Sequence, residues 1–222
     1  MEEAVSSAQM RAIEAASIAS GAVTGLDLME RAGAGVVAAV LGRLPQPGRA
    51  LVLCGPGNNG GDGYVIARLL AGQGWQVEVL AWGDPQRLPS DARTMHDAWT
   101  AIGPVGALGE LGDGGPDPAP DLIVDALFGI GLTRPLPERL SQILRGIDHW
   151  REGRRGQPLV VAVDIPSGLC ADTGRALGRG LPAGLTVTFH RPKPGHLKGE
   201  GPQLCGRLVV VDIGLPGASS CG

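Results

Sequence analysis

Two kinds of apolar pattern alternate along this chain. Short unbroken runs such as Leu51-Val-Leu-Cys54, Leu122-Ile-Val124 and Leu159-Val-Val-Ala-Val163 have the length and β-branched content of strands buried on both faces. Between them, apolar residues recur at helical spacing. Ser7 is placed to cap a helix through Met10, Ile13 and Ile18 that Gly21 ends, and Thr24-x-x-Asp27 has the form of a capping box. The second helix carries Leu28, Met29, Ala32, Val36, Val37 and Val40 on one face as far as Leu44. Such a face covers the protein's own sheet or serves as a dimer surface.

After the first strand, Gly55 to Gly63 places five glycines in nine residues, and Tyr64 to Leu70 resumes helical spacing. A second strand is expected over Gln76 to Trp82, a helix over Ser90 to Ile102, and a long Gly/Pro/Asp-rich connection over Gly103 to Pro120 with a short strand near Val105 to Leu108. Strands over Asp121 to Asp125 and Leu159 to Asp164 flank a helix over Pro137 to Trp150. Late strands are expected over Leu185 to Phe189 and Arg207 to Asp212, separated by a loop over His190 to Gly201. Strand and helix in alternation predict a three-layer αβα architecture with a mainly parallel sheet, in one domain spanning residues 1–222, with the two N-terminal helices on one face or edge.

Composition narrows the function classes. Glycine and proline are abundant, 37 and 18 of 222 residues, but 43% hydrophobic content is enough to build a core. A net charge of −3 with scattered basic residues argues against nucleic acid as a partner; the Arg151 to Arg155 segment reads as a solvated loop. No apolar run reaches membrane-spanning length and the opening Met1-Glu2-Glu3 is acidic, so neither membrane insertion nor secretion is expected and a cytoplasmic location is. Cys54, Cys170, Cys205 and Cys221 form no CxxC pair and are expected as free thiols. His96, His149, His190 and His196 form no zinc pattern and are expected at the surface.

The glycine segment has the form of an anion site, because glycines permit close approach or positive φ and the first turn of the following helix offers unpaired N–H groups. Gly55, Gly57 and Gly60 fit G-x-G-x-x-G, a weak signal alone, and the Gly-Lys-Ser/Thr ending of a Walker loop is missing. Asn58, Asn59 and Asp62 are either turn and capping residues or contacts to a ligand or cation. Asp125 and Asp164 end buried strands, where a carboxylate needs a cation or donors beside it. An ion pair with Arg134 is one solution for Asp125. Loops after three parallel strands should share one cleft at the carboxyl edge of the sheet.

The segments GPGNNGGDGYVIARLL, VDALFGIGLTRPL, VAVDIPSGLCADTG and TVTFHRPKPG, together with the opening SAQMRAIEAASIASGAVTGLDLMERAG, resemble the signature segments of the YjeF N-terminal domain family of NAD(P)H-hydrate epimerases. The resemblance covers essentially the whole chain. It implies a Rossmann-like fold, interconversion of the R and S forms of hydrated NADH and NADPH, a bound potassium ion and a homodimer. It assigns Asn58, Asn59, Gly60, Gly61 and Asp62 to substrate, with Gly129, Ile130, Gly131, Leu132, Thr133, Arg134, Pro135 and Asp164. It assigns potassium to Asn59, Asp125 and Ser167, and the oxygen-rich set suits a large monovalent cation. A dehydratase for the S hydrate, fused or separate, is the implied partner; the chain is then a stand-alone epimerase or half of a bifunctional enzyme.

The hydrate is a carbinolamine, and inverting its carbon breaks and remakes a C–O or C–N bond with proton transfer. Asp164 is the expected general acid/base. Lys193 in Arg-Pro-Lys-Pro-Gly is a second proton carrier, a phosphate contact or an exposed loop lysine. Two other classes compete. A nicotinamide-dependent dehydrogenase would use Asp84 near the end of the second strand, but leaves Asp125, Asp164 and Asn58-Asn59 without a part. A non-catalytic binding scaffold of the same fold should have lost the acid or cation residues, which here all stand.

Overall fold

A computed structural model describes residues 3–111, 115–154 and 156–217. Arg155, Cys221 and the tip of the 103–120 connection therefore lie outside the described residues. The first helix, α1 (Ser7–Ala19), starts one residue earlier than expected: Ser6 is the cap, exchanging hydrogen bonds with Gln9 in a capping box, and Ser7 is already helical and buried. The Thr24–Asp27 box is present at the start of α2 (Gly25–Leu41), which ends before Leu44. The sheet contains β1 (Arg49–Cys54), β2 (Gln76–Ala81), β3 (Val105–Ala107), β4 (Leu122–Ala126), β5 (Leu159–Val163), β6 (Leu185–Phe189) and β7 (Arg207–Val211). Its order is β3-β2-β1-β4-β5-β6-β7, and every pair is parallel.

Strand parity divides the core in two. Ala50, Val52 and Cys54 of β1, Leu122, Val124 and Ala126 of β4, and Val161 and Val163 of β5 pack under α2, under α3 (Asn58–Gly72) and under α4 (Ser90–Thr100). Leu51, Leu53, Ile123, Val160 and Ala162 point the other way and pack under α5 (Glu138–Glu152). Helices thus cover both faces, as the unbroken apolar strands require. The apolar face of α2 is buried within its own molecule, with Val36 and Val40 fully enclosed. None of the helices among the described residues is long and apolar enough to cross a membrane.

Two sequence expectations need correction. The glycine segment is not all loop: α3 begins at Asn58, so Gly60, Gly61 and Gly63 are helical, and none of them has positive φ. Their role is close approach. A Cβ at Gly60 would overlap the Gly55 carbonyl oxygen, one at Gly61 would meet the Met29 thioether, and one at Gly63 would stand 2.8 Å from both Ala126 and Cys54. The 190–201 loop also contains two single-turn helices, α6 (Pro194–Leu197) and, just beyond it, α7 (Gly201–Leu204).

The chain reverses its direction of travel across the sheet between β1, whose successor β2 lies on one side, and β4, whose successor β5 lies on the other. That switch leaves a crevice at the carboxyl edge. The tight seat of α3 sets its width. Gly60→Ala should therefore lower stability by about 1–3 kcal/mol through overpacking. Gly57→Ala, where a Cβ meets nothing within 4 Å, should stay within about 0.5 kcal/mol. Thermal unfolding of the two variants side by side checks this, and equal melting temperatures would overturn it.

Candidate functional site

A cavity of about 500 Å³ occupies the crevice. Its floor is the β1–α3 turn (Pro56, Gly57), the first turn of α3 (Asn58, Asn59, Asp62), the segment 127–132 after β4, and Asp164 after β5. The N-terminal helices close the far side with Arg11, Glu14 and Ile18 of α1 and Leu28, Met29 and Ala32 of α2, while Asp91 of α4 also faces it. The N-cap of α3, Gly57, supplies no side-chain hydrogen bond, so the start of a 15-residue helix opens onto the cavity without a protein cap. That is the geometry of an anion seat.

Asp164 is the most constrained residue here. Its backbone is left-handed, with φ of 66°, a conformation that is costly for a residue with a Cβ and persists only when its surroundings over-determine it. The surroundings do so. The Asp164 N–H donates to Val187 O at 2.7 Å, and its carbonyl accepts from His196 Nε2 at 2.8 Å. Its Oδ1 accepts from Lys193 Nζ at 2.8 Å and from Thr188 Oγ1 at 2.9 Å, and its Oδ2 accepts from the Ile130 N–H at 3.2 Å. Burial alone would raise this carboxyl. The Lys193 ammonium and the hydrogen bonds outweigh it and hold the group below its ordinary value, so it is a carboxylate at neutral pH.

Lys193 is not an exposed loop lysine: it is 1% exposed. Its ammonium donates to Asp164 Oδ1, to Thr188 Oγ1 at 2.8 Å and to Phe189 O at 3.1 Å, which uses all three protons. It lies behind Asp164 and does not line the cavity. His196, expected at the surface, is buried; its Nδ1 accepts from the Lys193 N–H at 2.9 Å, so Nε2 carries the proton toward Asp164 O. Burial pushes its pKa down and keeps it neutral. His190 is buried as well, while His149 is exposed and His96 is partly buried against Tyr64.

Asp125 is fully buried, and Arg134 is exposed and does not pair with it. Its partners are Ser167, whose N–H donates at 2.9 Å and whose Oγ donates at 2.6 Å, and the Leu127 N–H at 3.3 Å. Burial raises its carboxyl despite these donors, so the site holds a carboxylate position with no cation of the described protein against it. Nearby, Asn59 carries an enclosed amide nitrogen with no acceptor, and a Cβ on Gly129 would come within 2.9 Å of Asn59 Oδ1 and 3.1 Å of Asp164 Oδ2. Glycine at 129 is what lets the post-β4 segment lie against both.

The structure therefore brings Asn58, Asn59, Asp62, Gly129, Ile130, Gly131, Leu132 and Asp164 onto one cavity, with Asp125 and Ser167 joined beneath. Gly60 and Gly61 are buried in the seat of α3 and do not line it. Thr133, Arg134 and Pro135 lie exposed beyond it. Asp84 is exposed and caps a single 3-10 turn through Gln86, away from the cavity, which removes the dehydrogenase's ribose acid. Sequence reasoning missed Arg11 and Glu14. A glutamate four residues after Met10, on the polar side of an N-terminal helix, carries no signal of its own.

Removing the cation behind Asp164 leaves a buried charge unpaired. Lys193→Met should lower the unfolding free energy at pH 7 by about 3–5 kcal/mol. Because the folded pKa of Asp164 lies below 3.8, the pair's contribution is complete above that value and is lost as pH falls through the folded pKa. The gap between wild type and variant should close in that acidic window, as urea titrations from neutral to acidic pH would show. A gap independent of pH would refute the assignment.

Residues 25–195 match the family model for YjeF-related protein N-terminus. Among curated relatives, the NAD(P)H-hydrate epimerase of Rhodobacter capsulatus is 47% identical, with 97% of this chain and 100% of that protein aligned. The bifunctional NAD(P)H-hydrate repair enzyme Nnr of Hyperthermus butylicus is 40% identical across 96% of this chain, which corresponds to 39% of its own length. The crystal structure of yeast ynu0 superposes with a TM-score of 0.73 at 24% identity, covering 94% of this chain and 87% of that one, and shares the fold. With the family model matched over most of the chain and the Rhodobacter capsulatus relative aligned nearly end to end, this chain belongs to the YjeF-related N-terminus family.

Proposed function

We propose that this protein is an NAD(P)H-hydrate epimerase, interconverting the R and S forms of hydrated NADH and NADPH. The observation that carries the reading is one cavity onto which an uncapped helix N-terminus and a buried, ionised aspartate both open. An anion seat beside a proton acceptor suits a dinucleotide whose chemistry moves a proton rather than a hydride. The family membership and the names of the curated relatives point the same way.

In this reading the open N–H groups of α3 at Asn58 and Asn59 bind the diphosphate, where the helix dipole favours negative charge. The 129–132 segment borders the hydrated ring, and the apolar side chains Leu28, Met29 and Phe189 keep water from it. Asp164, ionised and aimed by Lys193, Thr188 and the Ile130 N–H, accepts the proton of the hydroxyl being added to the ring carbon. Lys193 acts through Asp164, holding its charge and direction. A dehydratase consuming the S hydrate is the matching partner activity, a pairing that the name of the bifunctional relative supports.

Potassium fits the residues present. The orphaned amide of Asn59, turned about its last torsion, offers oxygen where its nitrogen finds no acceptor, and the two orientations differ only in their partners. Asp125 supplies a buried carboxylate without a counter-cation, and Ser167 a hydroxyl beside it. These three would hold the ion. Its chemistry when bound is electrostatic: it offsets the Asp125 charge and that of the diphosphate.

Mixing the protein with purified R hydrate and following both forms by chromatography tests the reading. Approach to the R/S equilibrium should be faster than in the enzyme-free control, and Asp164→Asn should slow it by roughly 10²–10⁴-fold while retaining dinucleotide binding. Epimerisation at wild-type rate by Asp164→Asn would end the assignment. For the ion, melting temperature at constant ionic strength should rise as choline is exchanged for potassium, since a ligand selective for the folded state stabilises it by mass action. Asp125→Asn should abolish the difference; identical melting of the wild type in both salts would remove potassium from the site.

A further inference from the structure

Four carboxyl groups line the cavity from four different elements: Glu14 from α1, Asp62 from α3, Asp91 from α4 and Asp164 from the end of β5. Their partners are unequal. Asp164 takes the buried ammonium of Lys193, and Glu14 has the Arg11 guanidinium one helical turn away. Asp62 has neither a hydrogen-bond donor nor a cation among the described residues; the charges it feels are those of Asp164 and Glu14. Like charges sharing an enclosed site do not all ionise, and those without a donor are the ones that keep their protons. Glu14 also accepts no hydrogen bond among the described residues, and burial followed by Asp164 raises its carboxyl against the Lys193 and Arg11 charges. Asp62 has no cation to offset this, and burial, followed by Asp164 and Glu14, pushes its carboxyl well above its ordinary value.

The same wall bears a second feature that calls for a ligand, one on which the potassium reading above also draws. The amide nitrogen of Asn59, one helical turn before Asp62, is enclosed without an acceptor and belongs to a side chain that lines the cavity. The two acids also come from different sides of the sheet. Asp62 rides on α3, which packs over the Val52 and Val124 face, whereas Asp164 is anchored to Thr188, whose position in β6 alternates with Leu185, Val187 and Phe189 of that face. Two acids that reach one cavity from different elements suit an inversion at carbon, in which one group protonates what leaves and another deprotonates what arrives. Lys193 cannot be the second carrier, since its three N–H bonds are all donated inside the protein.

We propose that Asp62 is the second catalytic residue of the epimerisation, the proton donor that faces Asp164 across the cavity. The assignment rests on the epimerase reading above. The Asp62 carboxyl gives its proton to the hydroxyl oxygen on the ring carbon; that C–O bond breaks as the lone pair of the ring nitrogen forms a C=N double bond, and water departs. Water then adds to the same carbon from the other face. The nitrogen recovers its electron pair, and Asp164 takes the proton released by the new hydroxyl. One turnover leaves Asp62 ionised and Asp164 protonated. Reaction in the opposite direction, or exchange with solvent, restores the starting pair. Two groups whose surroundings push their proton affinities apart are thereby the acid and the base.

The test compares wild type, Asp62→Asn, Asp62→Ala and Glu14→Gln in the R-to-S assay with separate determination of kcat and KM. Asp62→Asn should lower kcat by roughly 10²–10⁴-fold. Asp62→Ala should regain rate with added small carboxylic acids in proportion to their protonated form, and Glu14→Gln, which alters the wall without removing the proton donor, should lose roughly tenfold less kcat than Asp62→Asn. A loss in Asp62→Asn confined to KM, or a kcat loss in Glu14→Gln as large as that in Asp62→Asn, would overturn the proposal. Carbon-13 NMR of labelled aspartate in the wild-type protein needs no variant to fold: a protonated Asp62 at neutral pH is the expected result, and an ionised one overturns the assignment. If the wild type itself fails to epimerise, the function reading falls and this role with it. If the wild type epimerises and Asp62→Asn keeps its kcat, only the role of Asp62 falls.

Discussion

A carboxylate buried at the end of a strand needs a counter-charge or donors beside it, and the arrangement of the site follows from meeting that demand with both at Asp164. The ammonium that meets it belongs to Lys193, 29 residues further along. To deliver it, the chain must complete β6, pass through the left-handed His190 and start α6. Thr188 on β6 and His196 on α6 then hold the carboxylate and the carbonyl of the same aspartate. The pair thus ties the last third of the sheet to the crevice at its centre. A buried ion pair is often no more stabilising than apolar packing. Its presence here makes sense as a way of keeping a base charged within an enclosed cavity.

The left-handed backbone at Asp164 belongs to the same arrangement. An ordinary strand residue at that position would continue the alternation of β5 and aim its side chain into the α5 layer. The turn redirects it to the carboxyl edge, where Ile130 N–H can reach Oδ2. Strain in the main chain is exchanged for direction in the side chain, as at other functional sites. Gly129 complements this by lacking the Cβ that would separate Asn59 from Asp164.

Much of this was legible in the sequence. Unbroken apolar runs between helical patterns led to the parallel sheet, and acids closing those runs at Asp125 and Asp164 marked the crevice because a buried charge demands an explanation. The errors have physical causes too. Glycines in a loop-like cluster suggest positive φ, yet Gly60, Gly61 and Gly63 are helical and serve contact; composition does not distinguish torsional freedom from closeness. Lys193 and His196 lie in a segment rich in Pro, Gly and Lys, which reads as exposed, and only tertiary placement over Asp164 buries them. Glu14 and Arg11 look like the solvated side of an amphipathic helix; nothing local says that a sheet edge more than a hundred residues later turns that side into a wall.

That wall has a consequence for when the site comes into being. The segment leading into α1 is held by Val5 N–H on Pro192 O and Ser7 N–H on Asp172, partners that lie 165 or more residues further on. As the chain emerges during synthesis, the lead into α1 has no anchor until residues 172 and 192 have been made. The strands of the floor that precede them can pair before then, but the wall that α1 adds depends on contacts of high sequence separation, for which loop-closure entropy must be met first.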